Sequence, residues 1–362
     1  MSGSQAKSSS RLQFLDWARG FGAVIMLQGH TYHSLLRQDL RTSSTFVLSD
    51  FVGGMPSAVF LFLTGVTLAF LMDSRERQGA PSGKRVLASL QRAGYILGLA
   101  FLVRVQLWLF GLPGTAWTDL LRVDVLNCMG LALAVVSVMA VFRTTERIRF
   151  CAILGLAIAA ASPLVSALDW SGVHPLVRAY IAPDYASFGF FPWGAFVAFG
   201  VSLGSLIRVA THEELERAMQ WLAVAGCALI VVSQRLSDLP SLYGKSEFWL
   251  NSPFMILIKL GVILLLLAFA FLWTKHTAGK WSWVRQLGTT SLLVYWVHIE
   301  LIYGRWLGVW HSGLTIGQAT VGAVLLIVTM LLLSLARTHR AQIREFLASW
   351  RQPAEPARVS GD

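Results

Sequence analysis

Charge is scarce in this sequence. Asp, Glu, Lys and Arg make up 14% of its 362 residues, where a soluble domain carries roughly 25%. Cysteine is scarcer still: Cys128, Cys151 and Cys227 are the three present. All lie in or beside apolar stretches and none has metal-ligand spacing, so neither a disulfide framework nor a zinc site is expected. There is no Walker loop, no dinucleotide fingerprint, no HExxH and no GxSxG, which argues against ATP-driven transport, zinc proteolysis and serine hydrolysis. The N-terminus is polar and lacks a cleavage site after a short apolar core, so no removable signal peptide is read.

What the sequence has instead is length of apolar run. Hydrophobic residues are 55% of the chain, and they gather into about ten stretches, at 14–36, 53–73, 86–111, 120–142, 149–168, 188–208, 217–234, 252–273, 284–305 and 317–337. About 20 residues at 1.5 Å each cross the hydrocarbon core. The fold expected is an all-α, polytopic membrane bundle: a tail over 1–13, a transmembrane domain over 14–337, and a basic tail over 338–362. In that last tail RAQIREFLASWRQ reads as a surface amphipathic helix. With the N-terminus placed in the cytoplasm, 20 Lys and Arg fall on the cytoplasmic side and 6 on the other. This bias puts both termini inside and makes the net charge of +11 a matter of topology rather than nucleic-acid binding. Gly94 with Gly98, and Gly200 with Gly204, have the spacing of close helix contacts. Pro192–Trp193 reads as a break at the outer interface.

The first stretch, RLQFLDWARGFGAVIMLQGHTYHSLLR, interrupts its apolar run with Asp16, Arg19, His30, His33 and Arg37. At 100° per residue these fall within about a third of a turn. Ionisable groups are costly in lipid, so such a line implies a lined cavity. Asp16 and Arg19 come near the cytoplasmic leaflet; His30 and His33 come about 21 and 26 Å farther out. Arg104, Gln106, Arg122, Asp124, Asn127, Lys259, His298 and Glu300 fall at a similar outer depth, with Ser291 and Tyr295 aligned on the face of His298. A shared layer points to a wet pocket on the extracytoplasmic side. Its union with the Asp16–Arg19 locus would let a cytoplasmic donor meet an external acceptor. Asp16 and Arg19 read equally as an interfacial salt bridge, His298 as a core group bonded to Ser291 or Tyr295, and Arg104 as the partner of Asp124 or of a substrate anion.

These motifs carry a resemblance. RLQFLDWARGFGAVIMLQGH resembles the first helix of the membrane acyltransferase family that includes heparan-α-glucosaminide N-acetyltransferase, and more distantly that of the acyltransferase-3 sugar O-acetylases. PSAVFLFLTGVTLAFL, LRVDVLNCMGLAL, FFPWGAFVAFGVSLG and TTSLLVYWVHIELIYG are similar too, in the expected order, so that the likeness runs over about residues 11–305. It implies an enzyme that moves an acyl group, typically acetyl from acetyl-CoA, across the membrane to an amine or hydroxyl of a sugar or glycan. The family's histidine falls on His30, and its Asp and Arg on Asp16 and Arg19. His33 lies outside the pattern, and the named enzyme has an extra span and a lumenal domain, so heparan is not implied as substrate.

The reading that follows makes His30 the general base, with Asp124 or Asn127 fixing its tautomer and Arg104 or His298 stabilising the oxyanion; an acyl-histidine route is left open. Asp16, Arg19, Arg92 and Arg104 form the acyl-CoA side of the site, and the loop SRERQGAPSGKRV reads as topology or as a phosphate contact. Acyl-CoA, a sugar or glycan acceptor, the lipid bilayer of the cytoplasmic membrane and a second copy of the chain are the partners allowed; metal and nucleic acid are not expected. The alternative is a secondary transporter of a sugar or anion that uses the same buried charges.

Overall fold

The computed structural model describes residues 12–41 and 50–344. Among them the chain is helical: α1 Gln13–Leu35, α2 Met55–Arg77, α3 Ser82–Gly111, α4 Val125–Val136, α5 Thr144–Ala167, α6 Pro175–Ile181, α7 Phe190–Val209, α8 His212–Ser237, α9 Pro253–His276, α10 Trp283–Thr289, α11 Ser291–Tyr303 and α12 Ile316–Thr338. Eight helical stretches are long and apolar enough to cross a bilayer. The architecture is the expected all-α polytopic bundle, and the two expected spans outside those eight differ for instructive reasons. α1 has the length, 23 residues, but its polar row lowers its hydropathy. The stretch expected at 284–305 is divided into α10 and α11, which meet at Thr290 with φ −120° and ψ 22°.

Hydroxyl chemistry accounts for that division. Thr289 Oγ1 donates to the Gln286 carbonyl (2.8 Å), and Thr290 Oγ1 donates to Ser334 Oγ on α12 (2.6 Å). Side chains that bond locally offer the backbone an alternative to the helical ladder. The stretch expected at 120–142 is also composite: 3₁₀ turns at Trp117–Leu121 and Ser137–Val141 flank α4. Asp124 caps α4 by accepting from the Leu126 and Asn127 amides.

α1 lies inside the bundle against α2, α9, α10, α11 and α12. Its approach to α10 is backbone to backbone. A Cβ at Gly20 would stand 1.7 Å from the Val284 carbonyl oxygen, and one at Gly288 1.8 Å from that of Asp16. α2 and α7 meet in the same way, a Cβ at Gly200 falling 1.9 Å from the Phe62 oxygen. Gly94 and Gly98 differ from the expectation of close packing, since a Cβ at either meets open space. The break expected at Pro192–Trp193 stands at Phe191, with φ −87° and ψ 131°, and the Trp193 ring packs on Phe188 and Phe196 and beneath the Lys259 ammonium, 4.8 Å from the ring centre.

The ends of α2, α3, α5 and α7 that lie on the Asp16 side are tied by charge. Asp73 binds Arg77 (3.0 Å) and Arg208 (2.6 Å), and Glu76 binds Arg85 and Arg147 (3.2 Å each). Arg147 is fully buried. Thr144 Oγ1 joins the two carboxylates. These arginines read from sequence only as topological charge. Outside the described residues lie most of the two expected tails; residues 340–344 of the expected surface helix are helical.

Gly200→Leu is expected to destabilise the detergent-solubilised protein by about 3 kcal/mol or more, because bulk is forced into a closed backbone contact. Gly98→Leu is expected to leave the thermal midpoint nearly unchanged. Fluorescence-detected thermal unfolding of both variants checks the pair.

Candidate active site

A cavity of about 1000 Å³ runs beside α1 and is lined from Asp16 and Arg19 at one end to His30 and His33 at the other. α2, α3, α4, α10, α11 and α12 complete its wall, with Arg92, Arg104, Arg122, Asp124, Tyr295, Tyr303 and Arg337 among the lining residues. Asp16, Arg19, His30 and His33 are thus the polar edge of one continuous space, whereas Arg37 lies beyond the end of α1, exposed and paired with Asp39 at 2.7 Å. The four side chains reach the cavity because the row sits on the helix face turned away from the buried Phe14 and Ala18.

At one end of the cavity two imidazoles meet. His30 Nδ1 lies 2.9 Å from His298 Nε2, and the rings stack with centroids 5.1 Å apart. His298 is fully buried, and its Nδ1 lies 2.8 Å from the Val294 carbonyl oxygen. A carbonyl only accepts, so His298 Nδ1 carries hydrogen. With a neutral ring, as burial among apolar groups requires, Nε2 of His298 is then an acceptor. His30 must donate to it from Nδ1, which leaves the lone pair on Nε2 of His30 free. The Tyr303 ring packs edge-on against His30 at 5.3 Å, and His33 stands one turn farther along the same wall.

The other expected residues fall into three groups. Arg104 and Asp124 form a salt bridge of 2.9 Å, and both line the cavity. Asp124 is therefore committed to Arg104 and to the α4 cap, not to an imidazole. Asn127 lies off the cavity: its carbonyl accepts from the Asp124 amide and its NH₂ donates to Tyr180. The partner of the His30 ring is His298, and the reason is register: α11 passes α1 with His298 facing inward, while the first turn of α4 points Asn127 toward α6. His298 itself bonds Val294 and His30, in place of the expected Ser291 or Tyr295.

Asp16 and Arg19 pair at 2.9 Å and line the opposite end together with Arg92. Lys259 and Glu300, expected in the outer layer, are off the cavity. Lys259 sits on Trp193, and Glu300 accepts from Gln106 (3.2 Å) and Trp306 (3.0 Å). Arg337, Thr289 and Thr290 line the cavity without having been singled out in the sequence, whereas Ser291, beside them, is expected on the face of His298. Arg337 looked like a topological charge. The break was hidden because the stretch around TTS is apolar on average, although three successive hydroxyl residues were a signal that could have marked it. Among the described residues no cluster of His, Cys, Asp and Glu suits a metal ion, and the three cysteines are free.

A family model described as heparan-alpha-glucosaminide N-acetyltransferase, catalytic, matches residues 11–234. The chain belongs to this family. A search of curated proteins gives no match. The chain is thus a multi-pass membrane protein of a membrane acetyltransferase family. The family match contains His30, Arg19, Arg92, Arg104 and Asp124. It stops before α9–α12, so the Thr290 break and Arg337 enter the cavity from outside it, and His298 reaches His30 from outside it.

The Arg104–Asp124 pair is largely shielded on both sides, 15% and 13% exposed. Removing one partner strands a charge: Asp124→Ala is expected to cost about 3–5 kcal/mol, whereas the double substitution Arg104→Met with Asp124→Leu recovers much of that loss. Thermal unfolding of the single and double variants in one detergent closes the cycle.

Proposed function

We propose that the protein is an acyl-CoA-dependent acyltransferase that acylates an amine or hydroxyl of an extracytoplasmic sugar or glycan, with His30 as general base. The observation that carries this reading is the free Nε2 of His30 on a cavity that reaches Arg19. The charge bias between loops supports a cytoplasmic N-terminus, so the Arg19 end opens to the cytoplasm and the His30 end to the far side. Arg19, Arg92 and Arg337 are the cations available to CoA phosphates, and the Ser291 hydroxyl at the break supplies a further donor. Asp16 holds Arg19 in place.

From Arg19 to His30 is about 16 Å along α1 at 1.5 Å per residue, a span suited to an extended pantetheine arm. The thioester then lies beside His30. His30 Nε2 takes the proton from the acceptor O–H or N–H as the acceptor's lone pair attacks the thioester carbonyl. The tetrahedral intermediate collapses with loss of the C–S bond, and the CoA thiolate leaves with the proton returned by His30. Arg104, held by Asp124, and the Tyr303 hydroxyl are the donors on the cavity wall for the developing oxyanion. His298 has both ring nitrogens engaged, so we assign it to positioning His30 rather than to the oxyanion.

His30→Ala is expected to lower acetyl transfer from acetyl-CoA to a panel of amino and hydroxyl sugars by about a hundredfold or more, while thermal stabilisation by CoA persists. Wild-type transfer by His30→Ala would end the role of His30. Proton-coupled sugar flux into liposomes with no acyl transfer would instead establish a transporter.

A further inference from the structure

The cavity wall is incomplete on one side. Tyr95 and Leu99 of α3 face Leu292 and Trp296 of α11 across it, and all four line the cavity. The two helices barely touch. They are joined by a clasp nearer the His30 end: Gln106 Nε2 donates to Glu300 Oε2 (3.2 Å), Gln106 Oε1 accepts from Trp296 Nε1 (2.6 Å), and the Phe110 ring meets that of Trp306 edge-on at 6.4 Å. On the Asp16 side of the clasp, cavity residues also lie on the outer surface of the bundle. Tyr95 is 54% exposed and Leu292 36%. A side chain that lines a cavity and is open to its surroundings marks a gap in the wall. α3 is long and apolar enough to span a membrane, so this gap opens sideways, into lipid.

The edges of the gap change character along its length. Arg92 and Arg337, both exposed, stand at the Asp16 end; Tyr95, Leu99, Leu292 and Trp296 follow toward the middle of the bundle. Cations at one end and apolar lips beyond them complement an amphiphile with an anionic head and a hydrocarbon tail. A free sugar has no part that suits the lips. An acyl-CoA resting in a leaflet has its phosphates at the interface and its chain toward the mid-plane, the same order as the edges of the gap.

We propose that the α3–α11 seam is a lateral portal for the acyl chain of the donor, and that the donors of this protein extend from acetyl-CoA to acyl-CoAs with longer chains. The inference rests on the acyl-CoA reading above. The bonds exchanged are unchanged: the acyl carbon leaves the CoA sulfur and joins the acceptor atom, and the proton passes through His30 as before. What the seam supplies is a place for the chain. An acetyl group fits within the cavity, and an octanoyl chain leaves through the gap on the Asp16 side of the Gln106 clasp.

Binding and cross-linking test it without any need for turnover. In nanodiscs, octanoyl-CoA is expected to bind wild-type protein at least about tenfold more tightly than acetyl-CoA, through burial of the added methylenes. An octanoyl-CoA with a diazirine at the chain end is expected to label peptides of α3 and α11 that contain Tyr95, Leu99, Leu292 or Trp296, and excess octanoyl-CoA should compete the labelling away. Leu99→Trp, which fills the seam, is expected to abolish the octanoyl advantage and to keep acetyl-CoA binding, which also reports that the variant is folded. If it does not fold, labelling of the wild-type protein decides alone. Equal binding of both donors, or label confined to other helices, would overturn the portal and leave the acyl-CoA reading intact. Binding of neither CoA ester would overturn both.

Discussion

The Val294 carbonyl, the His298 ring and the His30 ring form a short relay in which every proton position follows from the one before. Because the carbonyl can only accept, His298 donates to it from Nδ1, and His30 donates to His298 from Nδ1 in turn. The free lone pair on His30 Nε2 is the consequence. No carboxylate takes part, which distinguishes this arrangement from one where an acid orients the imidazole. A neutral orienting group is also the cheaper one to bury in a membrane protein. The relay depends in turn on how α11 is placed. The break at Thr290 and the backbone contact of Gly20 with Val284 and of Gly288 with Asp16 bring α10 and α11 against α1.

Buried charge elsewhere is handled by pairing. Arg104 is matched by Asp124 and Arg19 by Asp16, both on the cavity wall. The Asp73–Glu76 knot gathers four arginines from α2, α3, α5 and α7 at one end of the bundle. The knot does different work from the cavity pairs: it closes the bundle where the cavity pairs leave it open. The cationic groups lining the Asp16 end of the cavity, Arg19, Arg92 and Arg337, are the ones arranged around space rather than around acids alone. The proposed entry of an anionic donor at that end follows from this contrast.

Much of this was legible in the sequence. Apolar run length gave the polytopic helical class, and the stripe Asp16, Arg19, His30, His33 placed four cavity residues on one helix face. The pairing of Arg104 with Asp124 was one of two options the charges allowed. Partners set by inter-helix register were not legible. Depth alone put Asn127 forward as a partner of His30 and left His298 to the oxyanion or to Ser291 and Tyr295, and it is the rotation of α11 against α1 that makes His298 the partner. The division of the stretch at 284–305 was hidden by its apolar average, although the run Thr289, Thr290, Ser291 was its local cause. Gly94 and Gly98 show the opposite failure, a spacing with the form of a packing motif on a face that meets nothing among the described residues.

The tautomer of His30 is the point on which the catalytic account turns, and it is directly measurable. Nitrogen-15 spectra of histidine-labelled protein in nanodiscs, assigned by difference against His30→Gln and His298→Gln, read the protonation of each ring nitrogen. The account predicts two neutral rings, each with hydrogen on Nδ1 and a bare Nε2, and a hydrogen-bond coupling from His30 Nδ1 to His298 Nε2. A His30 ring with hydrogen on Nε2, or one charged at neutral pH in the unliganded protein, would contradict it.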